Sequence, residues 1–186
     1  MKGWAAIGGH WFFLDEPSGS MKTGWVLDNH NWYYLDGSGA MHTGWLLLGN
    51  TWYWLEPSGS MATGFKLVNG SLYHFSQSGS MNTGWFVDDG TWYCANGSGA
   101  IRTGWFYFDS SWYLLDSNNN GAMLEGFQSV NGNWYYLDSD SGGALECNAW
   151  VFSQDGNAYY ACSSGAIALK GCLLYTSPSP RDYAAS

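Results

Sequence analysis

The chain has 186 residues, enough for one ordinary domain or one repeat array, and its 13 Trp, 13 Tyr and 9 Phe make it 19% aromatic. A formal charge of −9, from 15 acidic and 6 basic residues, argues against the basic patches that nucleic acids and anionic membranes require and suits a cationic ligand. No run approaches the roughly 18 apolar residues of a transmembrane helix, and 26 glycines beside so many aromatics favour short strands and tight turns over helices.

A Gly-aromatic pair recurs along the chain at Gly3-Trp4, Gly24-Trp25, Gly44-Trp45, Gly64-Phe65, Gly84-Trp85, Gly104-Trp105 and Gly126-Phe127, with Ala149-Trp150 as a degraded eighth copy. Successive steps are 21, 20, 20, 20, 20, 22 and 23 residues, the signature of stacked supersecondary units. Each pair opens a short apolar segment, such as Trp25-Val26-Leu27. A polar turn follows, Asp28-Asn29-His30-Asn31, and a second segment returns, Trp32-Tyr33-Tyr34-Leu35. Two aromatic runs across a turn predict a β-hairpin, and Ser38-Gly39 marks the bend to the next unit. One such hairpin is marginal in water, so the array must be the folding unit. The expected fold is all-β, a solenoid (superhelix) of about eight β-hairpin repeats of 20–23 residues spanning residues 1–171.

Three columns stand out in the repeat. The position after the glycine is aromatic in every copy. Seven residues later come Trp11, Trp32, Trp52, Trp92, Trp112 and Trp134, with Leu72 as the outlier. The next position reads Tyr33, Tyr53, Tyr73, Tyr93, Tyr113, Tyr135 and Tyr159, with Phe12 in the first copy. The position after that drifts through Phe13, Tyr34, Trp54, His74, Cys94, Leu114, Tyr136 and Tyr160, as a packing site would.

Met41-His42-Thr43-Gly44-Trp45, Trp52-Tyr53-Trp54-Leu55 and Ser58-Gly59-Ser60-Met61 resemble the choline-binding, or cell-wall-binding, repeat family. The resemblance covers about residues 1–171 and implies a left-handed superhelix of hairpins. It implies a secreted, cell-wall or cell-surface location, where such modules attach to phosphocholine on teichoic acids. Related repeats bind glucans instead. In this family two aromatics of one hairpin, one of the next and a methionine-like neighbour enclose each choline.

Carried onto these positions, the cages are Trp4, Trp11 and Tyr33 with Met21; Trp25, Trp32 and Tyr53 with Met41; and Trp45, Trp52 and Tyr73 with Met61. Further along they are Trp85, Trp92 and Tyr113 with Ile101; Trp105, Trp112 and Tyr135 with Met123; and Phe127, Trp134 and Tyr159 with Leu145. Phe65, Leu72 and Tyr93 make a cage short of one wall, expected to be weak or empty. Three aromatic faces and buried methyl groups suggest about 4 kcal/mol per site, or roughly millimolar affinity. Many such sites on a repetitive polymer gain by avidity. The expected partners are choline or phosphocholine on cell-wall teichoic acid, with carbohydrate as the alternative ligand and a ligand-free surface spacer as the third reading. A choline-linked homodimer is compatible with the resemblance.

Other signals point away from catalysis. Asp116-Ser117-Asn118-Asn119-Asn120-Gly121 begins like a calcium loop, but the twelfth position is Phe127. His10, His30, His42 and His74 fall at different registers, so no metal, cofactor or catalytic site is expected and the chain reads as a non-enzyme. Cys147 and Cys162, 15 residues apart, are a candidate disulfide, and Cys94 reads as a small buried hydrophobe. From Cys172 to Asp182 the chain resembles a translated sequencing adapter, so residues 172–186 are expected to be a non-native tail. Met1-Lys2-Gly3-Trp4 looks like a repeat entered part-way, as in a fragment of a longer exported protein.

Overall fold

The computed structural model describes residues 3–16 and 18–168; the expected tail, 172–186, lies outside the described residues. The strands follow the Gly-aromatic repeat in chain order. They are β1 (Gly3–Ile7) with β2 (His10–Leu14), β3 (Gly24–Asp28) with β4 (Asn31–Leu35), and β5 (Gly44–Leu48) with β6 (Thr51–Leu55). Next come β7 (Gly64–Val68) with β8 (Ser71–Phe75), and β9 (Gly84–Asp88) with β10 (Thr91–Ala95). Then β11 (Gly104–Phe108), β12 (Ser111–Asp116) and the two-residue β13 (Ala122–Met123) form one sheet, and β14 (Gly126–Val130), β15 (Asn133–Asp138) and β16 (Ala144–Leu145) another. The last pair is β17 (Ala149–Phe152) with β18 (Ala158–Ala161). The described residues are thus all-β, with eight hairpins where eight repeats were expected.

Two-residue turns close most of these hairpins. Asn69 and Gly70 have φ of 50° and 83°, and Asn131 and Gly132 have 50° and 79°. Left-handed backbone at both positions is the turn whose twist matches the flanking strands, and Asn-Gly adopts it at low cost. Asn29-His30 and Asp109-Ser110 hold the same conformation without glycine, at φ of 45° and 66° and of 46° and 65°.

Register sorts each hairpin into two faces. Trp25 pairs with Tyr34 and Leu27 with Trp32, whereas Gly24 pairs with Leu35, Val26 with Tyr33 and Asp28 with Asn31. Side chains of directly opposed residues share a face, and successive pairs alternate. One face therefore carries Trp25, Leu27, Trp32 and Tyr34, and the other carries Val26, Tyr33, Asp28 and Leu35. The same register repeats in β5–β6, where Trp45 pairs with Trp54 and Leu46 with Tyr53.

The linkers stack the hairpins. In the Glu56–Met61 linker the Glu56 amide donates to Ser60 O at 2.8 Å, folding the chain back so that Met61 bridges Leu55. The Met61 amide then reaches the carbonyl of Trp32 at 2.7 Å. Met41 does the same to Trp11, Met81 to Trp52, Ile101 to Leu72 and Ile167 to Trp134, at 2.7 to 2.9 Å.

Two compact units emerge: the described part of Met1–Phe86 with Ala95–Ile101, and Val87–Cys94 with the described part of Arg102–Ser186. In the first, Leu35, Leu55 and Phe75 are fully buried at the end of each second strand, beside Val26, Leu46, Ala62 and Val68. In the second, Leu115, Leu137 and Ala161 fill the matching places. Leu55 sits opposite Gly44, whose φ of 84° starts the strand where the chain enters from the linker.

The linker bonds back to the drifting column. Cys94 carbonyl accepts from the Arg102 amide, Trp54 carbonyl from Ala62 and His74 carbonyl from Asn82, at 2.8, 2.8 and 2.9 Å. A small linker residue thus accompanies Trp54, and a long one accompanies Cys94. His74 is buried, lies flat against Phe86 at 4.8 Å and shares a 3.0 Å hydrogen bond with Asn82 through Nδ1. Burial pushes the Cys94 thiol up, with Arg102 acting in the opposite direction.

The candidate Cys147–Cys162 bridge does not form. Cys147 is an exposed free thiol, whereas Cys162 is disulfide-bonded. Ala149 pairs with Ala161, so the extension of that register sets Cys162 opposite Asn148 and leaves Cys147 one position out of step. A one-residue offset points two side chains to opposite faces.

Candidate functional site

Exposure singles out the second Trp column. Trp11, Trp32, Trp52, Trp92, Trp112 and Trp134 are each exposed by 41–48%, a large apolar area left in solvent at a fixed repeat position. The first-position ring is instead wedged edge-on between two others. Trp25 has Tyr34 at 5.3 Å on its own hairpin and Tyr53 at 5.1 Å from the next, and Trp45 has Trp54 at 5.2 Å and Tyr73 at 4.9 Å. The drifting third position therefore backs the wall, and T-shaped contacts of this kind fix ring orientation.

Between these rings lie open cavities. In the first unit, Trp25, Trp32 and Tyr53 line one of about 310 Å³, and Trp45, Trp52 and Tyr73 line another of about 310 Å³. In the second unit, Trp105, Trp112 and Tyr135 line one of about 360 Å³, and Phe127, Trp134 and Tyr159 one of about 220 Å³. These sizes sit around the lower end of the range for small-molecule sites. The two Trp walls stand nearly perpendicular, at 90° for Trp25 and Trp32 and 86° for Trp45 and Trp52, so two π faces meet at a corner. No carboxylate, lysine or arginine lines any of the four.

The apolar neighbour differs from the expected one by a full repeat. Met61, not Met41, lines the Trp25–Trp32–Tyr53 cavity, and Met81, not Met61, lines the Trp45–Trp52–Tyr73 cavity. Leu145 replaces Met123 at Trp105–Trp112–Tyr135, and Ile167 replaces Leu145 at Phe127–Trp134–Tyr159. The cause is the linker bond: the Met61 amide is held by the Trp32 carbonyl, which places its side chain beside that indole. Met41 lies over Gly59 instead, and Met21 over Gly39. Sequence reasoning also missed the turn that closes each cavity, Gln77 and Ser78 in one case and Gly97 and Ser98 in the other. The Trp25, Trp45 and Trp105 sites thus each draw on three successive repeats, and the Phe127 site on two.

Trp4 and Tyr33 meet at 4.8 Å in the same arrangement. Trp85 belongs to the first unit and Trp92 and Tyr113 to the second; likewise Phe65 and Leu72 belong to the first and Tyr93 to the second. Among the described residues no three His, Cys, Asp or Glu side chains converge to hold a metal.

Residues 22–64 and 62–101 match the choline-binding repeat, and residues 2–21 and 125–140 match the cell wall binding repeat. The chain belongs to the choline-binding repeat family. These choline-binding repeats are similar to CbpJ from Streptococcus pneumoniae, with 38% identity and a TM-score of 0.79 over 90% of this chain and 58% of CbpJ. Choline binding protein F from the same organism, solved in the presence of a peptidoglycan analogue, gives 38% identity and a TM-score of 0.77 over 90% of this chain and 57% of that one. The choline-binding domain of CbpL is 26% identical, with a TM-score of 0.65, over 90% of this chain and 87% of the domain structure. The chain therefore spans less than two thirds of CbpJ and of choline binding protein F. No curated protein matches it.

Proposed function

We propose that this array is a non-catalytic cell-wall-binding module that holds the choline groups of wall teichoic acid in aromatic cages between consecutive hairpins, outside the cell. One observation carries the reading: four cavities repeat the same corner of aromatic rings, closed by a methionine, leucine or isoleucine, with no ionised side chain in the lining. A quaternary ammonium donates no hydrogen bonds and needs none from its host, so π faces and apolar methyl contacts serve it. A sugar ring would ask for converging hydrogen-bond partners that these walls supply sparsely. Choline binding protein F and the choline-binding domain of CbpL, both similar to this chain, bear names consistent with the same ligand here.

Individual cages are weak, so attachment rests on several of them meeting a repetitive polymer. The folded chain is expected to be retained on a choline-bearing resin at moderate salt and released by free choline. Retention on dextran without retention on choline would replace this reading by glycan binding. Retention on neither would leave a spacer.

A further inference from the structure

Resting on that choline reading, we infer that the cages are unequal and that Asp28 makes the Trp4–Trp11–Tyr33 cage the strongest in the first unit. The Trp4 indole Nε1–H donates to Asp28 Oδ2 at 3.1 Å, and the same oxygen accepts from Asn29 Nδ2 at 3.2 Å. Asp28 pairs with Asn31 and Val26 with Tyr33, so Asp28 and Tyr33 project from one face of their hairpin, the face that meets Trp4. The carboxylate and the phenol therefore address the same indole, one at its N–H edge and the other at 4.8 Å from its ring.

At the corresponding strand position the next two hairpins carry Leu48 and Val68, whose hydrocarbon side chains have no acceptor to offer an indole N–H. A carboxylate at the N–H edge acts in two ways on a cation over the ring. It feeds electron density into the indole, deepening the negative face that the cation meets. It also attracts the cation through space. A cation seated over Trp4 would lie on the order of 7 Å from the carboxylate, where the attraction is worth about fivefold in affinity at low salt.

Asp28→Asn tests this, because an asparagine side-chain oxygen can still accept the indole N–H while the charge is gone. Choline titrations of the whole chain, followed by the indole N–H resonances in NMR with Trp4 assigned through Trp4→Phe, read each cage separately. The expected result is tighter choline binding at Trp4 than at Trp25 or Trp45. Asp28→Asn is expected to weaken the Trp4 site by about fivefold, to flatten its salt dependence and to leave the Trp25 and Trp45 sites unchanged. The neutral isostere 3,3-dimethylbutan-1-ol is expected to bind the two proteins alike, which a purely structural role for Asp28 would not produce. Equal choline affinities at Trp4 in both proteins overturn the assignment while leaving the choline reading intact. Absence of choline binding at every Trp in the folded wild-type chain overturns both.

Discussion

Trp52→Ala separates binding from folding, because Trp52 is 41% exposed while the residues that hold its hairpin are buried. Its contacts are a T-shaped pair with Trp45 at 5.9 Å and the cross-strand neighbour Leu47, itself 47% exposed. Losing that pair and part of one apolar surface should cost the fold about 1 kcal/mol. The cavity, however, loses one of its three aromatic faces. A cation–π face contributes about 0.5–2 kcal/mol, so affinity at this cage should fall roughly 2- to 30-fold. A choline titration followed by the Trp45 indole resonance measures it, with circular dichroism checking that the array stays folded. Unchanged affinity at the Trp45 cavity in folded Trp52→Ala would refute the assignment of Trp52 as a cage wall.

Leu55→Ala should behave in the opposite sense: the side chain is fully buried, and truncation should cost about 2–5 kcal/mol, seen as a much lower Tm. Ser110→Gly should raise Tm, because φ of 65° strains any residue with a Cβ, and the gain should reach about 1 kcal/mol before the added freedom of the unfolded chain offsets part of it. The Ser38 hydroxyl, then its backbone amide, hold the Asp36 carboxyl below the ordinary 3.8. A carboxyl lowered on folding adds stability that is present above the unfolded pKa and lost as pH falls through the folded one. Ser38→Ala removes the largest cause, so an NMR titration should show Asp36 moving back up.

The hairpin array was legible because its signal repeats. Gly-Trp, then Trp-Tyr seven and eight residues later, recurs often enough that a pattern too weak in one copy becomes clear in eight, and Asn69-Gly70 or Asn131-Gly132 marks the turns by local chemistry. Trp25, Trp32 and Tyr53 converge as read from those columns. The identity of their methionine was not legible. Met41 and Met61 look alike in the repeat, and only the bond from the Met61 amide to the Trp32 carbonyl says which hairpin receives which side chain. The same holds for Gln77, a turn residue two repeats away from the Trp pair it borders. That Trp54 meets Ala62 and Cys94 meets Arg102 was not legible either, because these contacts come into view only once the linker is seen to fold back. The Cys147–Cys162 candidate could not be decided from the sequence, because spacing along the chain is blind to a one-residue offset across a strand pair.

The central claim is that choline methyl groups sit against the rings of neighbouring hairpins. Intermolecular nuclear Overhauser effects from the choline N-methyl protons test it most directly. Cross-peaks from one methyl signal to the ring protons of Trp25, Trp32 and Tyr53, and to the Met61 methyl, are the predicted result. Choline that binds the folded chain with cross-peaks only to residues away from these rings would contradict the account.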